Sequence, residues 1–149
     1  MDLERLFFLR EEKDLTQEEL GKIIGTRKVS ICNWEKNKAI IPLKKLNAYS
    51  NYFDVSMDYI LKLSNDKNKN TSKNELDKSI IEKNIKIIRE KHNLSQRNLA
   101  KALNTTQSTI WAYEIGKTLI LTAFAYQICL KYNISMDWLC GKNEKIQIK

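Results

Sequence analysis

Proline and glycine are scarce: one and four in 149 residues. No Asn-Gly or Asp-Gly pair occurs, so the tight-turn punctuation of an all-β chain is missing. No apolar run approaches the roughly 20 residues that span a bilayer. The start, Met1-Asp2-Leu3-Glu4, lacks the basic and apolar segments of a secretory signal, so neither a membrane partner nor export is expected. The three cysteines (Cys32, Cys129 and Cys140) are odd in number and far apart. They make no metal-ligand spacing and read as reduced thiols of a cytosolic protein. Histidine occurs once, as His92, at an expected helix end. A Gly-rich phosphate loop, paired metal ligands and a nucleophile motif are all missing. No catalytic residue, metal site or cofactor is therefore expected, and the chain reads as no enzyme.

What is present is charge of one sign. The net charge is +8 and the isoelectric point about 9.3. Such an excess attracts polyanions, nucleic acid first and anionic membranes second. Hydrophobic content of 42% beside 30% charged residues suits a globular chain.

An internal repeat organises the sequence. Leu15-Thr16-Gln17 recurs as Leu94-Ser95-Gln96, and Ser56-Met57-Asp58-Tyr59 as Ser135-Met136-Asp137-Trp138, both 79 residues later. Between these anchors the copies align without a gap: Leu20 with Leu99, Ile31 with Ile110, Trp34 with Tyr113, Glu35 with Glu114, Lys38 with Lys117. Residues 1–63 form one copy and 79–143 the other. Residues 64–78 are polar and read as a flexible linker, and 144–149 as a tail.

Each copy reads as about five helices. Ile81, Ile85, Ile88 and His92 fall at helical spacing. Thr16-Gln17-Glu18-Glu19 is a Thr-x-x-Glu capping box, and Ser95 caps the equivalent helix. Gly25-Thr26 and Asn104-Thr105-Thr106 are the turns that follow. Ser56 and Ser135 start the last helices, with Asp58 and Asp137 in the first turn, where the helix dipole favours a negative charge. The third helix of copy two buries Ile110 and Tyr113 when residues are placed about 100° apart. Gln107, Ser108 and Ala112 then face outward. A glutamine amide suits adenine, and Ala112 suits a thymine methyl.

Ser95 to Lys117, with the later Ile134-Ser135-Met136-Asp137-Trp138-Leu139, resembles the Cro/phage-repressor helix-turn-helix family. Copy one resembles it through Leu15-Thr16-Gln17-Glu18-Glu19-Leu20 and Ile31-Cys32-Asn33-Trp34-Glu35. The resemblance implies an all-α chain of two lambda-repressor-like domains of about five helices each, joined by the polar linker. It implies a cytoplasmic, bacterial or phage-encoded regulator of transcription that acts as a repressor, with double-stranded DNA as partner and a homodimer compatible with the layout. By the same resemblance Gln96 contacts phosphate, and Gln107, Ser108 and Ala112 take base-reading positions beside Thr106, Trp111 and Lys117. The matching set in copy one is Gln17, Arg27, Lys28, Val29, Asn33 and Lys38. Copy two departs from the family at Trp111, and Arg27 in copy one replaces a capping hydroxyl.

The charges divide unevenly. Residues 1–63 hold 11 basic and 10 acidic residues, a net of +1, and residues 79–149 hold 11 and 5, a net of +6. Copy two is thus the expected main DNA reader. A linker of roughly 15 residues extends to about 50 Å, and half-sites lie about 34 Å apart, so one chain reaches two half-sites. The alternative is a protein-interaction module or antitoxin-like partner in which copy one no longer reads DNA.

Overall fold

The structure, a computed structural model, describes residues 1–69, 71 and 74–146. The chain divides between residues 70 and 71 into two compact units. The first holds α1 (Glu4–Glu11), α2 (Gln17–Ile24), α3 (Lys28–Glu35), α4 (Leu43–Phe53) and α5 (Met57–Ile60). The second repeats the order with α6 (Lys78–Lys91), α7 (Gln96–Ala102), α8 (Gln107–Glu114), α9 (Thr122–Tyr132) and α10 (Met136–Leu139). The architecture is all-α, and among the described residues pairing of the β type is confined to isolated bridges.

Six of the described helices start at a side chain that satisfies a free N–H group. The Thr16 hydroxyl accepts from the Glu19 N–H at 3.1 Å, and the Glu19 carboxylate accepts from the Thr16 N–H at 2.8 Å, completing the capping box. Ser95, Thr106, Ser56 and Ser135 cap α7, α8, α5 and α10 through their hydroxyls. The helices end just as regularly. Asp14, Gly25, Asn37, Asp54 and Lys62 adopt positive φ, and so do Asn93, Asn104, Gly116, Asn133 and Gly141. Each member of the second set lies 79 residues beyond its counterpart. Gly, Asn and Asp tolerate this conformation. Lys62 does not belong to that group, and its ammonium binds Asp2 at 2.5 Å and Glu4 at 2.6 Å.

The cores follow the same offset. Leu6, Leu9, Leu20, Ile31, Trp34, Ile41 and Met57 are buried in the first unit, and Ile85, Ile88, Leu99, Ile110, Tyr113, Ile120 and Met136 in the second. Leu46 and Tyr49 become Ala125 and Ile128, all buried. Burial pushes the Tyr49 phenol pKa upward. Cys129 and Cys140 are buried, and the Cys140 thiol lies 3.9 Å from the Met136 sulfur. His92 ends α6 and lies against Tyr132, with ring centroids 4.4 Å apart.

The stretch expected to be a flexible linker is anchored at both ends. The Arg5 guanidinium donates to the Ser64 carbonyl at 2.7 Å, the Ser56 N–H to the Lys67 carbonyl at 3.4 Å, and Val55 bridges Asn68. At the other end Asp77 caps α6, and its N–H donates to the Cys140 carbonyl at 3.2 Å. The stretch between Asn68 and Asp77 extends to only about 30 Å, a shorter reach than the composition suggested. The tail behaves alike: the Ser135 N–H donates to the Ile146 carbonyl at 2.8 Å. Residues 70, 72, 73 and 147–149, parts of the expected linker and tail, lie outside the described residues.

One substitution between copies changes the core chemically. Where the first unit has Leu63, the second has Lys142, fully buried, with its ammonium 3.9 Å from the Asp137 carboxylate. Removing one member of a buried pair leaves the other charge poorly compensated. Lys142→Ala should destabilise the second unit by about 3–5 kcal/mol, measured by urea denaturation followed through nearby Trp138.

The capping box sets a pH dependence. Hydrogen bonds from Thr16, the backbone one foremost, hold the Glu19 carboxyl below its ordinary pKa. A carboxyl depressed on folding stabilises above its unfolded pKa, and the effect is lost as pH falls through the folded value. The wild type should therefore lose more first-unit stability between pH 7 and strong acid than Glu19→Gln, measured as the difference in urea midpoints at the two ends.

Candidate nucleic-acid interface

The helix pairs α2–α3 and α7–α8 are joined by tight turns. The Thr26 N–H donates to the Gly21 carbonyl at 2.7 Å, and the Thr105 N–H to the Ala100 carbonyl at 2.9 Å. A Cβ on Gly21 would lie 2.9 Å from the Thr26 carbonyl oxygen, so glycine permits that approach. In the first unit the Lys45 ammonium donates to the carbonyls of Ile24 and Gly25, at 3.0 and 2.7 Å, closing the end of α2. That lysine is thereby committed to the fold.

A buried ionic network sets the third helix of each unit. Arg10 donates through Nε and Nη2 to the two carboxylate oxygens of Glu35, at 2.7 and 3.0 Å. Its Nη1 donates to the Leu15 carbonyl at 2.7 Å, and it also pairs with Glu11. Gln17 Nε2 donates to Glu35 Oε2 at 2.8 Å. The second unit repeats the contacts of the buried acid: Arg89 to Glu114 at 2.6 and 3.2 Å, Arg89 to the Leu94 carbonyl at 3.0 Å, Gln96 to Glu114 at 2.8 Å, while Arg89 meets Glu90 through Nη2 at 3.7 Å. Hydrogen bonding to its carboxylate raises the pKa of each guanidinium. The sequence reading missed this role of Arg10, Arg89, Glu35 and Glu114. The signal was available: both residues recur at the 79-residue offset although most surrounding charges do not.

In the second unit the expected reading helix is α8. Gln107 and Ser108 are exposed at its N-terminal end. The Thr106 hydroxyl accepts from the Thr109 N–H at 3.3 Å and lies 2.9 Å from the Ser108 hydroxyl. Ala112 is half-buried, so less of it faces outward than the helical spacing suggested. Its carbonyl accepts from the Lys117 N–H at 2.9 Å, fixing that exposed lysine just beyond the helix. Trp111 is 45% exposed, and the Lys117 ammonium lies 5.8 Å from its ring centroid. Gln96 is half-buried beside Glu114 at the start of α7.

The first unit places its candidates in the same frame. Arg27, Lys28 and Lys38 are exposed, Asn33 and Gln17 are half-buried, and Val29 is 56% exposed. The Asn33 carbonyl accepts from the Lys38 N–H at 2.8 Å. The side chain of Arg27 makes no capping hydrogen bond, unlike that of Thr106. Two cations thus crowd the positive end of α3, an arrangement the helix dipole disfavours by about 0.3–1 kcal/mol each. The flank differs too. Glu18 and Glu19 open α2, whereas Arg97 and Asn98 open α7. Glu18 reaches Lys22 at 3.5 Å on an exposed face. Among the described residues no cluster of ligands suits a metal ion, and no helix is long and apolar enough to cross a membrane.

Breaking the buried network should unfold one unit selectively. Glu114→Ala leaves Arg89 and Gln96 without their acceptor and should cost the second unit about 3–5 kcal/mol. Hydrogen exchange that rises across α6 to α8, while the first unit stays protected, checks it.

Comparison with known proteins gives a consistent result. Residues 3–65 match a family model described as a helix-turn-helix domain, and residues 85–139 match a second, described as helix-turn-helix. An uncharacterized HTH-type transcriptional regulator, YobD of Bacillus subtilis (strain 168), is 41% identical over 66 residues, 44% of this chain and 59% of that protein. Antitoxin PezA of Streptococcus pneumoniae serotype 4 (strain ATCC BAA-334 / TIGR4) is 30% identical over 67 residues, 45% of this chain and 42% of that one. The chain thus spans about half the length of these curated relatives. No solved structure matches it.

Proposed function

The chain belongs to the helix-turn-helix families through two such domains in tandem, and on that premise we propose that it is a sequence-specific DNA-binding regulator of transcription, acting in the cytoplasm as a repressor. The observation that carries this reading is α8: a helix locked from behind by Glu114, presenting exposed Gln107 and Ser108 at the end that enters the major groove in such motifs. The second unit also holds the larger net positive charge, +6, which favours phosphate. Its Gln107 reads a base edge, Ser108 and Ala112 border the same bases, and Thr106, Gln96, Trp111 and Lys117 position the helix on the backbone. The name of YobD as a transcriptional regulator supports this reading.

The first unit acts as the weaker partner, with Lys28, Val29 and Asn33 toward the bases and Gln17, Arg27 and Lys38 toward phosphate. Tethering raises its effective concentration on DNA already held by the second unit. A second reading applies to this unit alone: it binds a protein. Exposed Val29 on α3 and the acidic opening of α2 favour it.

Selection of bound sequences from random DNA, with the intact chain and with Gln107→Ala, tests the main reading. The variant should lose preference at one or two base pairs, at a cost of about 1–3 kcal/mol on the selected site. No protected sequence at moderate salt overturns it. Arg97→Glu, which gives α7 the charge of α2, should weaken binding to all sequences alike and flatten the slope of log affinity against log salt by about one. If Glu18→Arg leaves DNA affinity and salt slope unchanged, the first unit does not touch phosphate and the protein-binding reading holds for it.

A further inference from the structure

We propose that Trp111 gives the second unit a preference for thymine, recognised by its C5 methyl group, at a base pair beneath the middle of α8. The inference rests on the reading of α8 as the helix that enters the major groove, and it names what that helix selects there. With residues about 100° apart around the helix, Trp111 falls between Gln107 and Ser108, one turn further from the N-terminal end. Ile115 continues the same stripe one turn beyond. Trp111 is 45% and Ile115 50% exposed, and Gln107 and Ser108 are exposed too. The outward face of α8 thus has an amide and a hydroxyl at its tip and an apolar strip behind them.

The unit's own packing does not call for that strip. Where α8 carries Gln107, Trp111 and Ile115, α3 carries Lys28, Cys32 and Lys36, with both lysines exposed and Cys32 half-buried. Behind these faces Ile31 and Trp34 are buried in the first unit as Ile110 and Tyr113 are in the second. The two helices close the same fold with different outward chemistry, so the indole answers to something outside the unit. In the major groove an indole has one favourable neighbour. Guanine shows N7 and O6 there, adenine N7 and N6, cytosine N4, and thymine O4 beside its methyl. Covering a polar edge without replacing its water costs affinity, whereas covering the methyl removes apolar surface from water on both sides. The placement of Lys117 agrees. Its ammonium lies 5.8 Å from the Trp111 ring centroid, so the indole stands beside a cation suited to phosphate. The thymine methyl lies on the backbone side of its base, so a ring that packs on the backbone also reaches it. The first unit has no aromatic at this position and offers no equivalent contact.

Deoxyuridine lacks only this methyl and keeps the same pairing, so a uracil scan of the sequence selected from random DNA tests the proposal. With the intact chain one or two thymines should prove sensitive. Each should lose about fourfold in affinity, the worth of one buried methyl, with the salt slope unchanged. Trp111→Ala should bind thymine and uracil alike at those positions while keeping the preference that depends on Gln107. A selected sequence indifferent to every uracil overturns the proposal and leaves the DNA-binding reading standing. Sensitivity that survives in Trp111→Ala does the same, because it assigns the methyl to another residue. Failure to select any sequence overturns both. Where Trp111→Ala binds too weakly to compare, 5-bromodeoxyuridine at the sensitive position decides with the unaltered chain. Irradiation should cross-link it to Trp111, and a cross-link to any other residue, or none, overturns the proposal.

Discussion

Everything in each unit is arranged around one carboxylate that has no business being buried alone. Glu35 and Glu114 sit at the last position of α3 and α8, nearly inaccessible to water. An isolated buried carboxylate is strongly disfavoured, so its partners must come to it with good geometry. Arg10 and Arg89 supply a planar fork that engages both oxygens, and Gln17 and Gln96 add a third donor. The donors come from the first helix and from the first residue of the second helix. The remaining guanidinium nitrogen takes the carbonyl of the intervening turn. One acid therefore fixes three helices and a turn relative to one another. Such networks are a poor source of net stability, and their value here is orientation: the N-terminal end of the third helix points where the network aims it.

The same fact explains why the two copies can differ so much at the surface. Once the acid, its donors, the core and the left-handed turn residues are kept, the outer faces are free. Glu18 faces solvent where Arg97 does in the other unit, Lys44 where Ala123 does, and Val29 where Ser108 does. Each exchange alters what the unit can meet while leaving how it folds untouched. Function in such a duplicated scaffold resides in those faces.

Much of this was legible in the sequence. The capping box at Thr16 and the serines at 56, 95 and 135 announce helix starts because their chemistry is local. Burial of Ile110 and Tyr113 follows from helical spacing, and the turn residues Asp14, Asn93, Asn104 and Asn133 are of the kinds that tolerate positive φ. What was illegible is non-local. Arg10 and Glu35 are 25 residues apart; their recurrence 79 residues later marks each as kept, but nothing local marks them as a pair. The bond from each of Gln17 and Gln96 to a carboxylate was not legible; it uses one N–H of the amide and leaves the second for another acceptor. Lys142 stands at the start of the polar run Lys142-Asn143-Glu144-Lys145 and is nevertheless buried. The strap beyond each last helix is held by backbone bonds to Ser56 and Ser135, which composition does not record.

The two third helices show how these levels meet. In α8, Thr106 satisfies the helix start from within, so the first turn is closed by the unit's own side chain. In α3 that role falls to Arg27, whose side chain makes no cap, with Lys28 beside it. The helix start there carries uncompensated positive charge, which a phosphate would relieve. The neighbouring start of α2 opposes this, because Glu18 and Glu19 place two carboxylates on the approach. Exposed opposite charges are worth only about 0–1 kcal/mol each, so neither feature overwhelms the other. Binding by the first unit is thus a near balance. A near balance is also what tethering acts on most effectively, since a modest gain in effective concentration decides the outcome. On the proposed reading, occupancy of DNA by the first unit follows that of the second.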